Sequence, residues 1–170
     1  MKPFFIPFFV MIFFCSCAPS AKYYVVRHAE KASNDGTMMS SDPELSEPGK
    51  QRAEELSRIL ADQKVTRIFV TNTIRSRSTA APTAGIFHLN PEVYSAASDS
   101  SFLLKLSTIK GSALIVGHSN TVDDLVNNLM GTTYIRGDLS EKTFDRLYII
   151  TRKKGRFTIE EKIYGVPTPD

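Results

Sequence analysis

Three short apolar runs set the strongest constraint on the fold of this chain. They are Tyr23–Val26, Ile68–Val70 and Ala113–Val116, each apolar on consecutive positions. Such runs are typical of strands that are covered on both faces of a parallel sheet. Helical patterns lie between them. The alternation predicts an α/β fold, a three-layer sandwich with a mostly parallel sheet and helices on both faces.

Two segments carry the helical periodicity. Ser46 is the predicted N-cap of a helix over Glu47–Gln63. A second helix is predicted after Asn120, with Asp123 and Asp124 in its first turn. Apolar stripes run along both helices: Ala53, Leu56 and Leu60 in the first, and Val122, Leu125, Val126 and Leu129 in the second.

The C-terminal part of the chain predicts a β-hairpin at the sheet edge. Leu147–Thr151 and Arg156–Ile163 flank the turn sequence Lys153-Lys154-Gly155. We expect the hairpin and the preceding segments to form one domain over residues 22–170, because a chain of 170 residues is too short for two ordinary domains. The basic residues at the hairpin turn, Arg152, Lys153, Lys154 and Arg156, are predicted to form a polar turn rather than a contact with lipid or nucleic acid.

Composition excludes several classes of protein. Both cysteines, Cys15 and Cys17, precede the predicted domain, which excludes a disulfide scaffold and a cysteine-ligated metal site there. The net charge of +3 is too small for a protein that binds nucleic acid through its phosphate backbone. No nucleic-acid partner is therefore predicted.

The N-terminal segment resembles a bacterial lipoprotein signal. Lys2 precedes an uncharged apolar run that ends at Phe14, shorter than the roughly 20 residues that span a membrane. We predict a signal peptide over residues 1–16 and lipidation of Cys17, which would anchor an exported protein in the periplasm or at the outer membrane. Plain secretion and a retained membrane segment are the alternatives.

Polar residues follow each of the three apolar runs. Arg27 and His28 come after the first run, Arg75 comes shortly after the second, and His118 comes after the third. Parallel strands end at the same edge of a sheet, where α/β proteins place their ligands. These four side chains are therefore predicted to converge. His88 has no such neighbours and is predicted to be structural.

Two arginines and two histidines together predict phosphate chemistry. Guanidinium donors match phosphate oxygens and can neutralise most of a phosphoryl dianion, which makes a metal ion unnecessary. A neutral imidazole is a nucleophile that divides ester cleavage into two displacements. A second imidazole can donate hydrogen bonds to the group in transfer. We predict no cofactor and no metal, with a phosphorylated small molecule as substrate.

The motifs resemble the histidine phosphatase superfamily, the phosphoglycerate-mutase-like group with an Arg-His-Gly signature. The resemblance covers Tyr23 to Met130 and implies His28 as the phosphorylated nucleophile, Arg27 and Arg75 as phosphate ligands, and His118 as the second core histidine. It implies a phosphatase. The alternatives are a mutase-like phosphotransferase and a non-catalytic lipoprotein that binds a phosphorylated ligand. The four motifs begin at Val25-Val26-Arg27-His28-Ala29-Glu30, Leu45-Ser46-Glu47-Pro48-Gly49-Lys50, Arg75-Ser76-Arg77-Ser78-Thr79-Ala80 and Val116-Gly117-His118-Ser119-Asn120-Thr121.

Two features depart from the family pattern. Ala29 stands where the signature has glycine. No residue clearly matches the acid that protonates the leaving group, and the candidates are Glu30, Asp35, Glu92 and Asp99.

Three polar residues close to the motifs have less specific predicted roles. Arg77 lies two positions after Arg75 and is predicted to be solvated or salt-bridged, because it leaves a helix in another direction. Ser119 and Asn120 suit either phosphate binding or capping of the next helix. The sequence indicates no oligomeric state.

Overall fold

The computed structural model describes residues 20–32, 42–95 and 100–169. The predicted signal peptide, Cys17 and the candidate acids Asp35 and Asp99 lie outside these residues. In chain order the elements are β1 (Ala21–Arg27), α1 (Glu47–Leu60), β2 (Val65–Val70), α2 (Ile74–Phe87), β3 (Glu92–Val93), α3 (Ser100–Thr108), β4 (Gly111–Gly117), α4 (Ser119–Met130), β5 (Arg146–Lys153) and β6 (Arg156–Ile163). Within the described residues, no helix is long and apolar enough to cross a bilayer.

The strands form one mixed sheet in the order β3-β2-β4-β1-β5-β6. The pairs β1–β4, β2–β4 and β2–β3 are parallel. The pairs β1–β5 and β5–β6 are antiparallel, so the C-terminal hairpin forms one edge of the sheet. The α/β fold with a mostly parallel sheet and an edge hairpin is thereby confirmed.

The two faces of the sheet bury alternate residues of the central strands. Tyr23 and Val25 of β1 face a cluster that includes apolar residues of α3 and α4. Tyr24 and Val26 face the opposite cluster, which includes apolar residues of α1 and α2. Because both faces are covered, the central part of each strand is apolar on consecutive positions, as the sequence pattern predicts.

The helix bounds differ from the predictions in two places. The first helix starts as expected, with the Ser46 hydroxyl accepting the Gly49 amide at 3.2 Å, but it ends at Leu60 rather than Gln63. The last helix starts at Ser119, so Asp123 and Asp124 lie beyond its first turn. Because the first residues of this helix are polar, its apolar stripe predicts a start that is later than the observed one.

Gly49 is required by a close approach of α1 to the backbone after β1. A Cβ atom at Gly49 would lie 2.2 Å from the Glu30 carbonyl oxygen. We expect Gly49→Ala to lower the free energy of unfolding by about 1–3 kcal/mol, because backbone must move to admit the methyl group. Urea denaturation measures this. Gly85→Ala in α2 is the control, since a Cβ there meets no atom within 4 Å. Equal effects of the two substitutions would contradict the predicted clash.

Candidate active site

The four side chains predicted to converge meet at the carboxyl edge of the sheet. Arg27 is the last residue of β1, His28 follows it, and His118 follows the neighbouring strand β4. The ring centroids of His28 and His118 are 5.2 Å apart, with an angle of 67° between the ring planes. The His28 amide donates to the Gly117 carbonyl at 2.9 Å, which continues the strand pairing up to the histidines.

His28 is buried as a neutral imidazole. Its side chain is only 4% exposed, and Nδ1 lies 2.8 Å from the Ala29 carbonyl oxygen. A carbonyl oxygen only accepts, so Nδ1 carries the ring proton and Nε2 keeps its lone pair. Burial lowers the pKa of His28 to about 3, assisted by the positive charges of Arg27 and Arg75. The ring is therefore in the form that a nucleophile needs.

The backbone after His28 is held by the helix that carries Arg75. The Ala29 amide donates to the Thr79 hydroxyl at 2.9 Å, and that hydroxyl donates to the Arg75 carbonyl at 2.8 Å. Ala29 does not adopt a positive φ, so this position tolerates a methyl group in place of glycine. The departure from the Arg-His-Gly signature leaves the backbone geometry intact.

A threonine hydroxyl holds the second histidine. His118 Nε2 lies 2.8 Å from the Thr71 hydroxyl oxygen, which is also 2.7 Å from the Ser76 hydroxyl oxygen. The His118 amide donates to the Thr121 hydroxyl at 2.7 Å, where α4 begins. Burial and the charges of nearby arginines lower the pKa of His118 as well. The imidazole therefore has a fixed position beside His28.

Arg27 is almost fully buried and is held by the loop that precedes β5. Its Nη1 donates to the Ser140 carbonyl at 2.7 Å and to the Thr143 carbonyl at 3.3 Å. Its Nη2 donates to Glu141 Oε2 at 2.8 Å, and the guanidinium carbon lies 4.4 Å from the centroid of the Phe144 ring. Its Nε is buried and has no hydrogen-bond partner among the described residues.

Arg75, like Arg27, is held by a carboxylate from a loop. Its Nη1 donates to Asp42 Oδ1 at 3.1 Å, while Asp42 Oδ2 accepts the Ile74 amide at 2.8 Å. Within the described part of the chain, its buried Nε also has no partner. A buried donor without an acceptor costs about 1–3 kcal/mol. Two such donors beside two neutral imidazoles make a site for an anion.

Two of the candidate acids are engaged with basic side chains. Glu30 accepts from Arg52 through both Nε and Nη2 at 2.7–3.0 Å. Glu92 accepts from Arg67 and Lys105, and these hydrogen bonds lower the pKa of its carboxyl. Both carboxylates are therefore held by basic side chains that are not part of the cluster of arginines and histidines.

Other residues singled out from the sequence lie outside the cluster of arginines and histidines. His88 is exposed and ends α2 in the left-handed conformation, with φ 52°. Arg77 is exposed and donates to Asn72. His118, rather than Ser119 or Asn120, is the N-cap of α4, and the Ser119 hydroxyl donates to Glu141.

Several residues that shape this site were missed in the sequence analysis. Asp42, Glu141 and Phe144 lie in loops that have no apolar periodicity, and Thr71 lies in the short connection between β2 and α2. Their contacts depend on how the loops fold over the sheet edge. No spacing in the sequence signals them.

The family comparison agrees with this geometry. The model of the histidine phosphatase superfamily (branch 1) matches residues 23–102, which include His28 and both arginines. This match, together with the fold of the solved neighbours, supports assignment to this superfamily. The match to this superfamily supports phosphatase activity and leaves the substrate unspecified. No curated protein sequence matches the chain significantly.

Several solved structures share the fold over nearly their whole length. A mycobacterial glucosyl-3-phosphoglycerate phosphatase is 14% identical, with a TM-score of 0.65 over 83% of this chain and 97% of its own. The protein histidine phosphatase SixA, in complex with tungstate, is 20% identical, with a TM-score of 0.64 over 84% and 96%. YhfR of Bacillus stearothermophilus is 17% identical, with a TM-score of 0.62 over 82% and 95%.

The depressed pKa of His28 is directly measurable by NMR. At pH 4.5 an imidazole with an ordinary pKa of about 6.5 is about 99% protonated, whereas His28, with a pKa of about 3, stays neutral. We expect its ring nitrogen NMR signals to remain those of the Nδ1-H tautomer from pH 7.5 to 4.5. Loss of these signals in His28→Asn assigns them. A titration midpoint near pH 6.5 would contradict the buried neutral ring.

The same pKa difference makes folding sensitive to acid. The unfolded histidine takes up a proton as the pH falls through about 6.5, while the folded one does so only near pH 3. The unfolded state therefore binds more protons in this interval, and His28 makes the folded state lose stability as the pH falls through it.

Proposed function

We propose that this protein hydrolyses phosphate monoesters through a phosphohistidine formed on His28. One observation carries the proposal: the available Nε2 of His28 is next to His118 in a site where Arg27 and Arg75 each bury an unpaired Nε donor. A phosphoryl group supplies the oxygen acceptors that these donors require and an electrophilic phosphorus for the imidazole.

The proposed reaction has two displacements. The phosphoryl oxygens accept from the Arg27 and Arg75 guanidinium groups, and His28 Nε2 forms a bond to phosphorus while the bond to the leaving oxygen breaks. Water then attacks the phosphohistidine, the phosphorus–nitrogen bond breaks, and inorganic phosphate is released. His118 donates to a phosphoryl oxygen as charge redistributes. The arginines supply the positive charge, so we propose that catalysis needs no metal.

The structural relatives support removal of a phosphoryl group in general. One is named a glucosyl-3-phosphoglycerate phosphatase and another a protein histidine phosphatase. Their named substrates differ, while the fold is shared. We propose a phosphorylated small molecule as the substrate of this chain, as the sequence analysis predicts.

An activity measurement tests the proposal. The purified full chain in detergent is incubated with p-nitrophenyl phosphate between pH 4 and pH 8, with EDTA and with or without vanadate. We expect phosphate release that resists EDTA and is blocked by vanadate. Phosphate binding without turnover would support the non-catalytic alternative instead. Isomerisation of added phosphoglycerate without hydrolysis would support a mutase.

We also propose that the protein is exported and anchored by lipid on Cys17, with residues 1–16 removed. The supporting observation is the short apolar run that ends just before this cysteine. We expect radiolabelled palmitate to label the chain when it is expressed in a bacterium with lipoprotein-processing enzymes. Cys17→Ala should abolish the label, and Cys15→Ala should keep it. Equal labelling of both variants would refute the anchor.

A further inference from the structure

Glu141 connects Arg27 with the start of the helix that follows His118. It lies in the loop between α4 and β5, where its Oε2 accepts from Arg27 Nη2 at 2.8 Å. Its Oε1 accepts from the Ser119 hydroxyl at 2.7 Å, and Ser119 directly follows His118. The Glu141 carboxylate therefore accepts hydrogen bonds both from Arg27, a proposed phosphate ligand, and from Ser119, the first residue of α4.

The geometry of Arg27 places Glu141 beside a bound phosphoryl group. The two Nη1 hydrogens are taken by the carbonyls of Ser140 and Thr143, and one Nη2 hydrogen is taken by Glu141. The remaining donors, on Nε and Nη2, share one edge of the planar guanidinium and form a fork for two oxygens. An anion on this fork shares Nη2 with Glu141, so its oxygens and the carboxylate are neighbours.

We propose that Glu141 is the catalytic acid that protonates the leaving oxygen. This inference rests on the proposed phosphatase activity and identifies the residue that the sequence analysis could not find. Glu141 is exposed over 71% of its side chain, and one of its two bonds is to a neutral hydroxyl. The carboxyl can therefore leave Ser119 and reach the leaving oxygen without exposing a buried charge.

Asp42 is the other carboxylate close to the site, and its position is less suited to proton donation. It accepts the Ile74 amide at the N-terminus of α2 and also pairs with Arg75. Helix N-termini stabilise anions. Both carboxylate oxygens of Asp42 are held by residues of α2, and its side chain is 32% exposed against 71% for Glu141.

The proton can be followed through both steps. In the empty site, the hydrogen bond from Ser119 and the charges of Arg27 and Lys31 lower the pKa of Glu141. A bound phosphoryl group brings negative charge next to the carboxyl, which raises its pKa and draws a proton from solution. That proton passes to the leaving oxygen as the phosphorus–oxygen bond breaks. The carboxylate then takes a proton from the water that attacks the phosphohistidine.

Substrates with different leaving groups test this role. p-Nitrophenolate leaves as a stable anion, whereas the alkoxide of glycerol 2-phosphate requires a proton. We expect Glu141→Gln to lower kcat/KM for glycerol 2-phosphate by about 100-fold, within the range for general acid catalysis, and to change that for p-nitrophenyl phosphate by less than about 5-fold. The glutamine can still accept from Arg27. Asp138→Asn, an exposed carboxylate on the same loop, is the matched control and should have no effect.

Each other outcome overturns the inference. Equal losses with both substrates would mean that Glu141 only positions Arg27. A gain in activity or in phosphate affinity would mean that the carboxylate competes with substrate. A leaving-group-dependent loss in Asp42→Asn but not in Glu141→Gln would assign the acid to Asp42. Absence of wild-type activity with p-nitrophenyl phosphate would instead refute the proposed function, so the two failures are distinguishable.

Discussion

His28→Ala is expected to lower kcat/KM for p-nitrophenyl phosphate by at least about 1000-fold, because no phosphohistidine can form without the nucleophile. Arg27 and Arg75 keep their hydrogen-bond partners in this variant, since none of those bonds is made to His28. The site should therefore still bind inorganic phosphate, with an affinity within about 10-fold of wild type. Activity and isothermal calorimetry on the same preparation measure the two effects.

Two observations accompany this measurement. His88→Ala is the matched control, because His88 is an exposed histidine at the end of α2. Wild-type protein quenched during turnover should contain a phosphorylated peptide with His28, stable in base and labile in acid. Activity of His28→Ala close to that of wild type would rule out a covalent intermediate on this residue.

Arg52→Met is expected to lower the free energy of unfolding by about 3–5 kcal/mol, the cost of leaving a buried charge without its partner. Arg52 is 4% exposed and binds Glu30 through two nitrogens, two residues after the nucleophile. It also donates to the Tyr164 and Val166 carbonyls at 2.6 and 2.7 Å. Removal of the guanidinium leaves the Glu30 carboxylate and the carbonyls of Tyr164 and Val166 without this hydrogen-bond donor.

Urea denaturation measures this loss, with Arg58→Met as control. Arg58 lies on the same helix, but it is exposed and pairs only with Glu55 among the described side chains. Surface ion pairs of this kind contribute about 1 kcal/mol or less. A similar loss of stability in both variants would mean that Arg52 does not hold the backbone of Tyr164 and Val166 to the loop that carries Glu30.

The central strands and the convergence of the four site residues were predictable from the sequence. The strands β1, β2 and β4 are buried on both faces of the sheet, and this burial is visible in the sequence as runs of consecutive apolar residues. Parallel pairing then brings the residues that follow each strand to one edge, whatever the length of chain between them. This rule places His28 and His118 at the same edge, and the pairing of β1 with β4 makes them neighbours.

The contacts that tune the site could not be predicted in this way. Glu141 bonds Arg27 across 114 positions of the chain, and Asp42 bonds Arg75 across 33. Neither loop repeats a pattern that a helix or strand imposes. The helix α3 was missed for a related reason, because only Phe102 and Leu106 of its nine residues are buried and its stripe is too short to recognise.

The parallel pair β1–β4 also determines when the site can form during folding. This pairing joins Ala21 to Gly111, so the two histidines meet only after a long stretch of chain has been brought together. Closing so long a loop is a slow, entropically costly step. Phosphate has no pocket to enter before that step is complete. Bound anion should consequently slow unfolding and leave the rate of folding almost unchanged.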